Sequence, residues 1–128
     1  MPNQIQNLKS KKIYNLKERT AKFGENIIDF VKDINKNEIN RLLISQIIRS
    51  GTSVGANYME ADEAESDKDF KHKIAICKKE SKECKHWLRM IAKADSSKTE
   101  KCRCLWQEVQ ELSLIFSSIL RPKSKDKQ

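Results

Sequence analysis

The sequence predicts an all-α protein, an antiparallel up-down-up-down four-helix bundle built as one domain over residues 1–128. Three observations carry that prediction. Both prolines lie at the edges, Pro2 and Pro122, so residues 3–121 contain no proline break. Four stretches repeat apolar residues at alternating spacings of three and four, the period of one helix face. Only short polar segments separate them, and short connections make sequential helices antiparallel.

The first helix is predicted over about residues 15–35. Leu16, Thr20, Phe23, Ile27, Phe30 and Ile34 fall on one face, and Asn15 with Glu18 has the spacing of a capping box. Asn35, Lys36 and Asn37 read as a turn. The second helix, about 38–65, opens with the apolar residues Ile39, Leu43, Ile44, Ile47 and Ile48. Its middle, Ser50 to Asn57, consists mostly of small residues. A phosphate-cradling turn there is rejected, because the P-loop spacing of Gly and Lys is missing and no strand precedes it. Helix through the segment is favoured: small residues let another backbone approach closely, at a cost of about 1 kcal/mol per glycine.

The third helix, about 67–94, has the most regular seam: Phe70, Ile74, Cys77, Ser81, Cys84, Leu88 and Ile91. Ser66 with Asp69 resembles a capping box. The fourth, about 98–121, starts after Ser97, which stands three residues before Glu100. It follows Cys102, Leu105, Val109, Leu112, Phe116 and Ile119 until Pro122 ends it. Leu42, Ile44, Ile48, Ile76, Trp87 and Trp106 lie off these seams or widen them. They exceed what one bundle core needs, which points to a homo-oligomer.

No apolar stretch reaches the roughly 18–20 residues of a membrane span, and the first residues lack the apolar core of a signal peptide. A cytoplasmic protein without membrane contact is expected. Four cysteines, at 77, 84, 102 and 104, accompany His72 and His86. There is no C-x-x-C pair, and Cys77 and Cys84 lie about 10 Å apart along a helix, so buried free thiols fit better than a zinc site. No nucleophile–base pairing or metal set appears, so no catalytic residue, metal or cofactor is assigned and a non-enzymatic role is expected.

The net charge of +8 is uneven. Residues 1–22 carry six bases against one acid, residues 23–67 four against nine, and residues 68–89 eight against three. Beside the third seam runs a second stripe containing Lys71, Lys78, Lys82, Lys85 and Arg89, about 27 Å long. It reads either as an ordinary solvated face or as a track for the phosphates of RNA or DNA, which requires spaced cations and no base-reading motif. The basic ends, with Lys9, Lys11, Lys12, Lys123, Lys125 and Lys127, are the alternative phosphate-binding candidates. On the other flank of the third helix lie Ile76, Glu80, Glu83 and Trp87. With the second turn near 66–67, antiparallel register sets Ser53 opposite Glu80, Ser50 opposite Glu83, and Arg49 close to Glu83. A structural polar network of Arg49, Ser50, Ser53, Asn57, Glu60, Glu80 and Glu83 is therefore preferred to acid–base chemistry.

The run from Arg49 to Ala61, RSGTSVGANYMEA, resembles the signature of the four-helix-bundle proteins encoded in intervening sequences of bacterial 23S ribosomal RNA genes. Tyr58 and Met59 depart from it. The run from Lys79 to Leu88, KESKECKHWL, is similar to that family's second motif, and Glu18 to Phe23 to its opening. The resemblance covers roughly residues 14–120. It implies an antiparallel four-helix bundle assembled as a homopentamer, in a family whose biochemical function is poorly defined. It also implies kinship with accessory proteins of diversity-generating retroelements, basic pentamers that bind nucleic acid and a reverse transcriptase. Two readings follow: a nucleic-acid-binding accessory protein, or a protein–protein scaffold with incidental positive charge.

Overall fold

The computed structural model describes residues 15–122. The basic-end candidates Lys9, Lys11, Lys12, Lys123, Lys125 and Lys127 lie outside the described residues. Four α-helices follow one another: α1 Leu16–Lys32, α2 Glu38–Asp62, α3 Asp67–Ala94 and α4 Thr99–Leu120, with a 3₁₀ turn at Ser96–Lys98 before α4. Among the described residues there is no strand.

Cross-helix neighbours give the order and direction. Gly55 of α2 approaches the Thr20 backbone of α1, while Gly51 approaches Ile27. On the other side of α2, the Cys77 and Cys84 thiols of α3 contact the Val54 carbonyl and the Ser50 hydroxyl, each at 3.5 Å. Lys85 of α3 meets Gln110 of α4, and Arg19 of α1 meets Glu108 of α4. Each helix thus runs antiparallel to the next, and α4 returns beside α1.

The spacing-derived seams form the core. Leu16, Thr20, Phe23, Ile27, Phe30 and Ile34 are all buried, as are Ile74, Cys77, Ser81, Cys84, Leu88 and Ile91. Cys102, Val109, Leu112 and Phe116 complete it from α4, while Phe70, Leu105 and Ile119 are half-buried at its ends. Each full burial of a large apolar side chain stabilises by about 1.5–3 kcal/mol. The buried hydroxyls cost little, since Thr20, Ser50 and Ser81 each donate to the carbonyl four residues earlier in their own helix.

Several boundary expectations are corrected. Helix α1 stops at Lys32: the Asp33 and Ile34 amides turn back to the carbonyls of Phe30 and Val31, and Lys36 donates to the carbonyls of Val31 and Ile34. Asn15 makes no side-chain cap; its backbone (φ −96°, ψ 17°) lies outside the extended region that caps favour. Asn37 caps α2, accepting from the Asn40 amide at 2.8 Å, and buried Asn40 donates to the Asn35 carbonyl. That bond turns Asn40 inward and leaves Ile39, expected on the apolar face, 65% exposed. Helix α2 ends at Asp62, not 65. Ser66 caps α3 as its spacing predicts, accepting from the Asp69 amide at 3.0 Å. Before α4, Asp95 caps the 3₁₀ turn, receiving the Ser97 amide and hydroxyl; α4 itself starts after Lys98 with no side-chain cap, so Ser97 does not cap it.

The small-residue segment is helical throughout α2. A Cβ at Gly51 would stand 2.9 Å from Ile27 Cγ1, and one at Gly55 would stand 3.2 Å from the Thr20 carbonyl oxygen. These two glycines set the close approach of α1 and α2.

Candidate nucleic-acid interface

Helix α3 is fixed by its buried seam against α2 and α4, so side chains one position round from the seam project at the α3 surface. Lys71, Lys82 and Arg89 are exposed, and Lys78 is half-exposed. Lys71 pairs with Asp67 one turn earlier, at 3.1 Å. Lys85 differs from the rest. Its ammonium donates to Gln110 Oε1 at 2.5 Å and lies 5.3 Å from the centroid of the Trp106 ring. Nearness to α4 therefore takes Lys85 out of the open stripe. Among the described residues Lys78, Lys82 and Arg89 make no ion pair.

An open groove of about 490 Å³ lies along this face, lined by Ala75, Lys78, Lys79, Lys82, His86 and Trp87. Lys79, His86 and Trp87 were not in the predicted stripe. The signal for Lys79 was present, since residues 75, 78, 79, 82 and 86 share one helix face. His86 and Trp87 meet edge to face, with ring centroids 4.8 Å apart. The Trp87 Nε1–H is buried without an acceptor among the described residues. Glu83 also lines this groove, and its charge is taken by Arg49.

The polar network on the opposite flank is narrower than expected. Arg49 reaches across from α2, donating to Glu80 Oε1 at 3.2 Å and to Glu83 Oε1. These bonds, that to Glu83 foremost, raise the Arg49 pKa above its ordinary value. Glu80 is buried and Arg49 half-exposed, so the pair places a buried carboxylate under a solvated guanidinium. Glu60 pairs separately with Lys73 at 2.5 Å. Ser50, Ser53 and Asn57 do not join the carboxylates. Ser50 donates to its own helix at the Gln46 carbonyl, and Asn57 donates to the Ser53 carbonyl. The Ser50 hydroxyl is thus spent within α2, and the group of α3 it meets is the Cys84 thiol, not a carboxylate.

A second clamp had no sequence signal. Arg19 of α1 grips Glu108 of α4 in a bidentate fork, at 2.8 and 2.9 Å, and reaches Glu111 at 2.6 Å. Its pKa is raised, chiefly by the bond to Glu108. The residues involved lie about 90 positions apart, so only tertiary structure pairs them. Its buried Nη1 has no partner among the described residues.

No group of three or more His, Cys, Asp or Glu side chains among the described residues is placed to hold a metal ion. Cys77, Cys84 and Cys102 are buried free thiols, while Cys104 is exposed. No helix among the described residues is long and apolar enough to cross a membrane.

Residues 11–118 match the family model of the 23S rRNA-intervening sequence protein. The chain belongs to this family. Among solved structures it is similar to a crystallised protein of unknown function, from the S23 ribosomal protein family, of Bacteroides thetaiotaomicron. The two share 29% identity with a TM-score of 0.74, covering 84% of this chain and 99% of the other. No curated protein matches the chain. In this 23S rRNA-intervening sequence protein, the RSGTSVGANYMEA run is largely a packing motif. Gly51 and Gly55 admit α1, Ser50 and Val54 face the α3 thiols, and Arg49 neutralises Glu80 and Glu83.

Proposed function

We propose that this protein is a non-enzymatic, nucleic-acid-binding accessory protein that acts in the cytoplasm as a homo-oligomer, a pentamer by family resemblance. The observation that carries the reading is a row of cations left unneutralised on a rigid helix. Lys78, Lys79, Lys82 and Arg89 have no ion pair among the described residues, although carboxylates on neighbouring surfaces are paired elsewhere. Such a row attracts phosphates through counterion release and is indifferent to base sequence. Repetition around an oligomer multiplies a weak single-site affinity by about 10²–10⁴. Resemblance to retroelement accessory proteins extends the reading to a reverse transcriptase as a protein partner.

The test is a salt titration of binding to generic RNA and duplex DNA, with the parent and a Lys78→Gln, Lys82→Gln, Arg89→Gln variant. Arg89 replaces Lys85 in this set because Lys85 is engaged with Gln110. Three lost phosphate contacts should flatten the salt slope by about 2.7, equivalent to about 40-fold in affinity between about 50 and 200 mM salt. A variant that binds as the parent does would remove α3 as the site and leave the basic ends.

The scaffold reading is favoured by a different observation. Leu42 is 72% exposed, Ile39 65% and Met59 53%, all on α2. In an oligomer these would be covered. Light scattering coupled to size exclusion is expected to give about five times 14.9 kDa; a monomer at micromolar concentration would contradict the assembly.

A further inference from the structure

We infer that a cleft between α3 and α4 takes one unpaired nucleotide, so that the protein prefers single strands to duplex. This rests on the nucleic-acid reading above and deepens it. The cleft, about 350 Å³, lies between the C-terminal part of α3 and the first turns of α4. That volume is within the about 300–1,000 Å³ of small-ligand sites.

Its apolar walls are Leu88, Ala92, Cys102 and Trp106, with one aromatic surface, and Thr99 and Gln107 add polar groups on the α4 side. Arg89 and Arg103 stand among the residues that line it, and no carboxylate is among them. The fitting ligand is therefore flat and apolar-faced, and it carries negative charge: a base with its phosphate. Lys85 supports the same conclusion, because its ammonium over the Trp106 ring adds positive charge beside the stacking surface. Arg103 is held only by Glu100, one turn earlier and at 2.7 Å, with both side chains well exposed. Such a pair is weak and exchanges readily for a phosphate.

Continuity with the stripe decides between a free nucleotide and a strand. Arg89 is both the last cation of the stripe and a lining residue of the cleft. A strand whose phosphates follow Lys78, Lys82 and Arg89 arrives at the cleft, where an unstacked base can enter. In a duplex the bases are paired and the cleft stays empty. Every base has a stackable face, so the cleft favours unpaired over paired nucleotides without choosing a sequence.

The experiment measures fluorescence anisotropy of three probes of equal length: a short thymidylate strand, its abasic counterpart, and a duplex. The parent is expected to bind the thymidylate strand about 5- to 150-fold more tightly than the abasic one, the range of one stacked base. Trp106→Leu should abolish that preference while leaving abasic and duplex binding unchanged. Ala92→Leu, which fills the cleft from the opposite helix, should do the same and serves if Trp106→Leu fails to fold. Equal affinity of the parent for the three probes would overturn the cleft and leave the stripe standing. Binding to none would overturn both. Competition by thymidine monophosphate as effective as the strand itself would assign the cleft to a free nucleotide and overturn the single-strand preference.

Discussion

Replacing Gly51 by valine is expected to lower stability by about 3 kcal/mol, at the upper end of what overpacking usually costs. The glycine has no conformational role, since it lies within a regular helix. Its importance is space. The added Cβ meets Ile27 Cγ1 at 2.9 Å, and Ile27 is fully buried, so it has no room to yield. Valine then drives two further carbons into the α1–α2 contact. Alanine at the same site separates the two effects: it gains about 1 kcal/mol of helix propensity while still crowding Ile27, so its net loss is smaller. Thr52→Val, one position on at an exposed site, is the control. Thermal melts should show Gly51→Val about 10–15 °C below the parent. A melting temperature within a degree or two of the parent would show that α1 and α2 are not held as closely as described.

The second large effect is on the thiols. Burial pushes Cys77 and Cys84 up to about 12 and Cys102 up to about 11, from an ordinary value of 9.0. In the unfolded chain all three ionise above about pH 9, while in the fold they keep their protons. The folded state then binds more protons, so stability is full below that pH and falls as pH rises towards the folded values. Three thiols lose together about 4 kcal/mol per pH unit in that window, so by about pH 10 roughly 4 kcal/mol has gone, a large part of the stability of an ordinary domain. Denaturant melts between pH 7 and 10 check this. Labelling with a thiol reagent at neutral pH gives an independent reading. Exposed Cys104 should react as a free cysteine and the other three only through unfolding, about 10³-fold or more slowly. Four thiols reacting alike would contradict the buried assignment.

How far the residues alone led can be seen in α3. Its seam from Ile74 to Ile91 was legible because a helix with one buried face writes its period into the sequence. The stripe beside that seam was legible for the same reason. What spacing could not show was that Lys85 turns to Gln110 and that its ammonium stands over Trp106. Those two contacts depend on where α4 lies. The Arg49 bridge was half legible: register brought Arg49 near Glu83, but packing decided that the arginine reaches both carboxylates while Ser50 donates within its own helix and meets the Cys84 thiol.

By itself, then, the sequence determined four helices, their antiparallel order, the core faces and an uneven positive charge. Each of these is a local property, set by period, by turn length or by counting ionisable groups. Tertiary structure alone decided the Arg19 fork on Glu108, the glycine-set approach of α1 to α2, the exposure of Ile39, and the arginine-lined cleft beside Trp106. Each of these joins residues on different helices or depends on a turn that rotates one helix against the next. Helix period says which residues share a face, and packing decides what that face meets.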